Sequence, residues 1–165
     1  MENSLVQSTI DYLTNLMPPE LIVFLMSVAP ILELRGGMIA ASILGIDWRY
    51  AFIICILGTL LPVPFIILFI ERIFELLKKT KLRKMIYWLE TKANKKGNSI
   101  SKYRNLGLFI LVAIPLPGAG AWTGALVATL LCMKLKEAMP PIILGVVTSA
   151  VIMAIISYAI PTLFV

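Results

Sequence analysis

The chain has no histidine, only two cysteines and only nine acidic residues among 165. Cys55 and Cys132 are far apart and form no CxxC pair, so neither a zinc site nor His-based acid–base chemistry is expected. No stretch reads as a Walker loop, a GxSxG elbow or a glycosidase carboxylate pair. The expectation is therefore a non-enzyme with no catalytic residues, no metal and no cofactor. Charged residues make up 15% of the chain, far below the roughly 25% usual in a soluble domain. The first residues carry no basic n-region and no small-residue cleavage site, so no signal peptide is expected to be removed.

What the chain has in abundance is oil. Hydrophobic residues reach 59% and mean hydropathy is +0.93. That composition predicts an all-α integral membrane protein of one membrane domain, residues 1–165. The net charge of +6 is concentrated in one place: residues 71–104 hold eleven Lys/Arg against Glu71, Glu75 and Glu90. This basic stretch lies between two apolar segments, so its partner is the anionic inner leaflet rather than nucleic acid, and its address is the cytoplasm. The apolar positions Ile73, Leu76, Leu77, Leu82, Met85, Ile86 and Leu89 predict a surface helix, with Lys78, Lys79, Lys81, Arg83 and Lys84 on its membrane-surface basic face. A multi-pass protein of the cell (plasma) membrane is the corresponding localisation.

The chain divides into four parts. Residues 1–20 read as an amphipathic interfacial helix ending before Pro18-Pro19, with Glu2, Asp11 and Glu20 and no basic residue, which favours an outside N-terminus. Residues 21–70 form a first repeat. Its opening run, 21–29, makes only about 14 Å of helix, half a bilayer. A break containing Pro30, Glu33, Arg35, Gly36 and Gly37 follows, then a second short piece to Gly45. After the polar turn Asp47-Trp48-Arg49, residues 50–70 are long enough to cross, with a kink expected at Pro62 and Pro64. Residues 71–105 are the basic linker, ending in a loop around Lys95-Lys96-Gly97-Asn98. Residues 106–165 repeat the first pattern: a short run to Ile114, the break Pro115-Leu116-Pro117-Gly118-Ala119-Gly120, a second short piece, a polar turn at Lys134-Leu135-Lys136-Glu137, and a clean span from Pro141.

A shift of 87 places Pro30 on Pro117, Gly37 on Gly124, Ala41 on Ala128 and Gly58 on Gly145. If each broken pair is a re-entrant hairpin, each half crosses the membrane once. The halves then form an inverted repeat, with Lys134 and Lys136 on the cytoplasmic side as the positive-inside rule prefers. A plain bundle of four kinked spans is the alternative, and it puts those two lysines outside.

Glu33 and Arg35 are the charges inside a long apolar run, where each costs about 2.5–3.5 kcal/mol or more. One reading makes Glu33 a proton acceptor and Arg35 a bidentate anion holder. In the other they neutralise each other and hold the hairpin tip. Gly36 and Gly37 relax the local geometry. The second focus is Pro117, Gly118, Gly120, Trp122 and Thr123. Glycines and the start of a half-helix expose N–H groups suited to a phosphate or carboxylate, Trp122 is placed to cover an apolar tail, and Thr123 to cap the helix or bind. The competing reading is tight packing of small residues.

The motifs Pro30-Ile31-Leu32-Glu33-Leu34-Arg35-Gly36-Gly37 and Pro115-Leu116-Pro117-Gly118-Ala119-Gly120-Ala121-Trp122-Thr123-Gly124-Ala125-Leu126 resemble the small multi-drug export protein family, from about residue 20 to the end. That family is in turn similar to the DedA/VTT superfamily of membrane proteins. The resemblance implies two oppositely oriented re-entrant hairpins and a transporter, with Glu33 and Arg35 in the first-hairpin motif. It points to a proton-coupled flippase or scramblase for an amphiphile or lipid with a phosphate head.

Two other expectations compete with it. A small multidrug exporter of lipophilic cations would use Glu33 for exchange, although Arg35 disfavours a cation. A non-transporting membrane scaffold would act through the basic helix. Membrane lipids and protons are the expected partners, and two spans with two hairpins are thin for a closed pathway, which favours a homodimer.

Overall fold

The computed structural model of the chain describes residues 17–77, 97–116, 118–131 and 133–159. Expectations for the interfacial N-terminus up to residue 16, for the basic face at Lys78, Lys79, Lys81, Arg83 and Lys84, and for Pro117 and Cys132 lie outside those residues. The described residues are helical, with no strand among them: α1 Pro19–Val28, α2 Glu33–Ile43, α3 Trp48–Leu60, α4 Pro62–Leu77, α5 Gly97–Ala113, α6 Ala121–Leu130 and α7 Leu135–Ala154, which runs on into a π-helical turn, Ile155–Ala159.

Among the described residues, two helical runs reach membrane length, Trp48–Ile70 and Leu135–Ala159, with only 33% and 39% of their apolar windows buried. Helices this apolar and this exposed need hydrocarbon around them. The chain is an integral membrane protein.

Local chemistry sets the ends. Pro19 suits the first turn of α1 because its missing N–H has no partner there, and Glu20 complements the positive end. Pro30 forbids helix at the residue before it, and Ala29 is extended, with ψ 135°. α2 closes in a Schellman motif: Ile46 N–H donates to Ala41 O at 3.0 Å, Gly45 N–H donates to Ser42 O, and Gly45 sits at φ 71°. Asp47 caps α3 by accepting the Arg49 N–H at 2.9 Å. At the expected kink α3 ends at Leu60, Leu61 is a turn, and the chain resumes at Pro62 as α4, with Pro64 in its first turn.

The structure corrects three boundaries. The first break is only residues 29–32, so Gly36 and Gly37 are helical. The second span begins at Leu135, well before Pro141, because Pro140 and Pro141 fall near the start of α7, where the carbonyls they free belong to the exposed Lys136 and Glu137. Gly97 and Asn98 open α5 rather than forming a loop; counting apolar residues finds the oily part of a helix, not its polar extension.

The chain forms two compact units, Met1–Thr59 with Ala150–Val165, and Leu60–Ser149. In the first, α2 packs on α1 and on the π turn, over Val23, Leu34, Met38, Ala41, Ala51 and Cys55. In the second, α6 packs on α4 and α5, over Val63, Ile67, Leu108, Val112, Ala125 and Ile142.

The same close contacts recur inside both units. A Cβ on Gly58 would meet Ser27 Cβ at 2.8 Å and Phe24 O at 2.9 Å; one on Gly145 would meet Val112 Cβ at 2.7 Å and Phe109 O at 3.1 Å. Gly37 meets Ser27, and Gly124 meets Val112. Met133 N–H donates to Ala128 O at 2.9 Å, as Ile46 does to Ala41. The glycines and caps match at a shift of 87, but the first arms match at 85, since Phe24 corresponds to Phe109 and Ser27 to Val112. The second hairpin's connection is the longer one.

Candidate functional site

Glu33 opens α2 and is 8% exposed. Its N–H donates to Ala29 O at 2.9 Å, and its backbone is left-handed at φ 47°, the one positive-φ non-glycine among the described residues. A carboxylate residue held in that conformation is strained, and such strain concentrates at functional positions. Arg35, half-buried one residue beyond Leu34, lies within the electrostatic reach of Glu33.

Gly36 and Gly37 belong to the same helix end but perform packing. A Cβ on Gly36 would strike Leu32 Cβ at 2.6 Å, and one on Gly37 would land on Ser27 Oγ. Gly37 lets α2 approach α1 closely, while Gly36 leaves room for the Leu32 side chain of the connection.

The second motif forms its own structure within the other unit. Ala119 N–H donates to Leu116 O at 3.0 Å, and Gly118, at φ 82°, takes the left-handed corner that only glycine adopts freely. Thr123 does not cap α6 by its side chain; its hydroxyl donates to Gly118 O at 2.9 Å and ties the turn back onto the helix. Gly120 is extended at the N-cap, and Trp122 is half-buried beside it. Glu33, Arg35, Gly36 and Gly37 are therefore one local cluster, and Gly118, Gly120, Trp122 and Thr123 another.

Sequence reasoning missed two polar groupings. Beneath α2, Ser27 donates to Val23 O at 2.8 Å, Thr59 donates to Ser27 O at 3.3 Å, and Cys55 hydrogen-bonds Ser27. A serine inside the short run 21–29, facing two glycines, was the available signal. In the second unit Arg104, counted above with the basic linker, donates to Leu131 O at 3.2 Å and lies 3.9 Å from Glu137. A cation at the carbonyl end of α6 complements that helix's negative pole. Among the described residues no group of His, Cys, Asp and Glu is arranged to hold a metal.

A family model described as Putative small multi-drug export protein matches residues 33–152, which is most of the chain, from Glu33 through the second hairpin and into the second span. No curated protein and no solved structure matches the chain.

Proposed function

This chain belongs to the small multi-drug export family, and on that premise we propose that it moves an amphiphile with an anionic, phosphate-type head across the membrane, as a flippase or scramblase coupled to protons. The observation that carries the reading is Glu33, a strained and buried carboxylate residue two positions before Arg35 in a chain rich in exposed apolar helix. Arg35 keeps its charge at any working pH. When Glu33 is ionised the two satisfy each other; when Glu33 takes a proton, Arg35 is released to hold the phosphate in a bidentate grip. Proton and head group are thereby linked through one arginine. The turn at Gly118 and the start of α6 offer backbone N–H groups of the kind that bind phosphate.

The helix lengths support half-depth hairpins: α1, α2 and α6 have 10, 11 and 10 residues, roughly half of what a bilayer requires. With the basic linker in the cytoplasm, this reading inverts the two repeats, places Lys134 and Lys136 inside, and puts the protein in the plasma membrane.

The test is transfer of a labelled phospholipid or prenyl phosphate across vesicles holding the reconstituted protein. Glu33→Gln and Arg35→Ala are each expected to abolish it; intact transfer by both discards the assignment. A second reading, export of lipophilic cations in exchange for protons at Glu33, is favoured by the family's description. It predicts resistance to such cations in cells expressing the protein, and that removing Arg35 improves it, because a fixed positive charge repels a cationic ligand.

A further inference from the structure

The first unit contains a crevice of about 440 Å3 that neither hairpin motif uses, within the roughly 300–1,000 Å3 of small-molecule sites. Trp48 and Phe52, from the start of the first span, form one side; Val151, Ala154, Ile155, Tyr158 and Ala159, from the end of the second, form the other. The space has a local cause. Two of the lining residues are alanines, and the backbone after Ala154 runs as a π turn, Ile155–Ala159, a widened helix that recurs at functional sites. The Tyr158 hydroxyl donates to Ile46 O at 2.9 Å, so that side chain's polar end is already engaged within the protein. Ser42 pins the same turn by donating to Ser157 O at 2.7 Å.

The rim differs from the interior. Trp48 and Tyr50 are exposed aromatics of the kind that settle at head-group level. The Arg49 guanidinium lies 5.5 Å from the centroid of the Trp48 ring, which itself lines the crevice. The neighbouring carboxylate, Asp47, accepts the Arg49 backbone N–H. An apolar slot with a guanidinium over the ring of one of its walls complements a molecule with a hydrocarbon chain and an anionic head.

We propose that this crevice is a lipid site, holding one acyl chain of an anionic glycerophospholipid with its phosphate at Arg49. The site stands apart from Glu33 and does not depend on the transport reading. The full-length protein, reconstituted in phosphatidylglycerol or phosphatidylcholine vesicles containing a trace of the same lipid with a photoreactive group in its acyl chain, tests it by mapping the labelled peptides. Labelling is expected on residues 48–52 and 151–159 above that on the exposed Phe65 and Phe69, with phosphatidylglycerol preferred. Ala154→Phe, filling the slot, lowers this labelling about tenfold, the effect of excluding roughly two methylenes. Ala154→Leu gives a smaller loss, and it carries the comparison if the phenylalanine variant fails to elute as folded protein. Arg49→Gln removes the preference for phosphatidylglycerol while leaving the chain labelled. Labelling equal to that at Phe65 and Phe69, or unchanged by filling the slot, means annular lipid only and overturns the proposal, as does a lipid preference indifferent to Arg49.

Discussion

Gly37 lies so close to Ser27 that a Cβ at position 37 would occupy the place of the serine oxygen. The same serine is approached from the span by Gly58 and receives, at its carbonyl, the hydroxyl of Thr59. Three helices thus converge on one small residue. In the other unit Val112 takes that place, between Gly124 and Gly145. In a membrane, where burying apolar surface gives helices little reason to associate, such close backbone approach and the dispersion contacts it permits supply the attraction.

Gly37→Ala and Gly124→Ala are therefore expected to destabilise the protein by about 1–3 kcal/mol each, the usual effect of overpacking. The melting temperature of the solubilised protein is the measurement. Gly107→Ala serves as reference, because a Cβ there meets nothing within 4 Å; it should be neutral or mildly stabilising.

Thr59→Val removes the donor to Ser27 O while keeping the shape. A loss of about 1 kcal/mol is expected, and Thr59→Ser should recover most of it. Equal melting temperatures for all three proteins would remove this hydrogen bond from the account of how the first span is fixed to α1.

Glu33 separates stability from activity. Its left-handed backbone costs an L residue roughly 1–2 kcal/mol that glycine does not incur. Glu33→Gly should melt above Glu33→Ala, and both should be inactive in lipid transfer. A melting order reversed between the two would show that the backbone at position 33 carries no strain.

Gly118→Ala isolates backbone geometry in the second motif. A Cβ there has open space around it, yet φ is 82°, so a destabilisation of about 1–2 kcal/mol is expected from conformation alone. Thr123→Val, which cuts the tie to Gly118 O, should speed amide exchange over residues 118–124 with little change in melting.

Lys136 reports topology, being exposed near the start of α7. A Lys136→Cys variant, with Cys55 and Cys132 replaced by alanine, should react with an impermeant maleimide in inverted vesicles and not in intact cells. Reaction only from outside would favour four full spans over two half-depth hairpins.

Much of this protein was legible as text. Composition fixed the solvent, because only hydrocarbon tolerates so many exposed apolar side chains, and Pro30 ended the first arm by the steric rule for the residue before proline. The matching glycines at a shift of 87 pointed to a repeated packing unit. The positions where helices start are encoded more weakly, which is why Gly36 and Gly37 read as a break and Leu135 as a turn.

Tertiary structure decided the rest. Glycine means either a bend or a close contact, and only the presence of Ser27 beside Gly37, or Val112 beside Gly124, chooses between them. The left-handed conformation of Glu33 depends on how a four-residue connection closes on α1, and no local propensity specifies that. Nor does any stretch of sequence announce that Trp48 and Tyr158, more than a hundred residues apart, line one crevice. Side chains so distant along the chain meet only because the start of the first span and the end of the second fold into one compact unit.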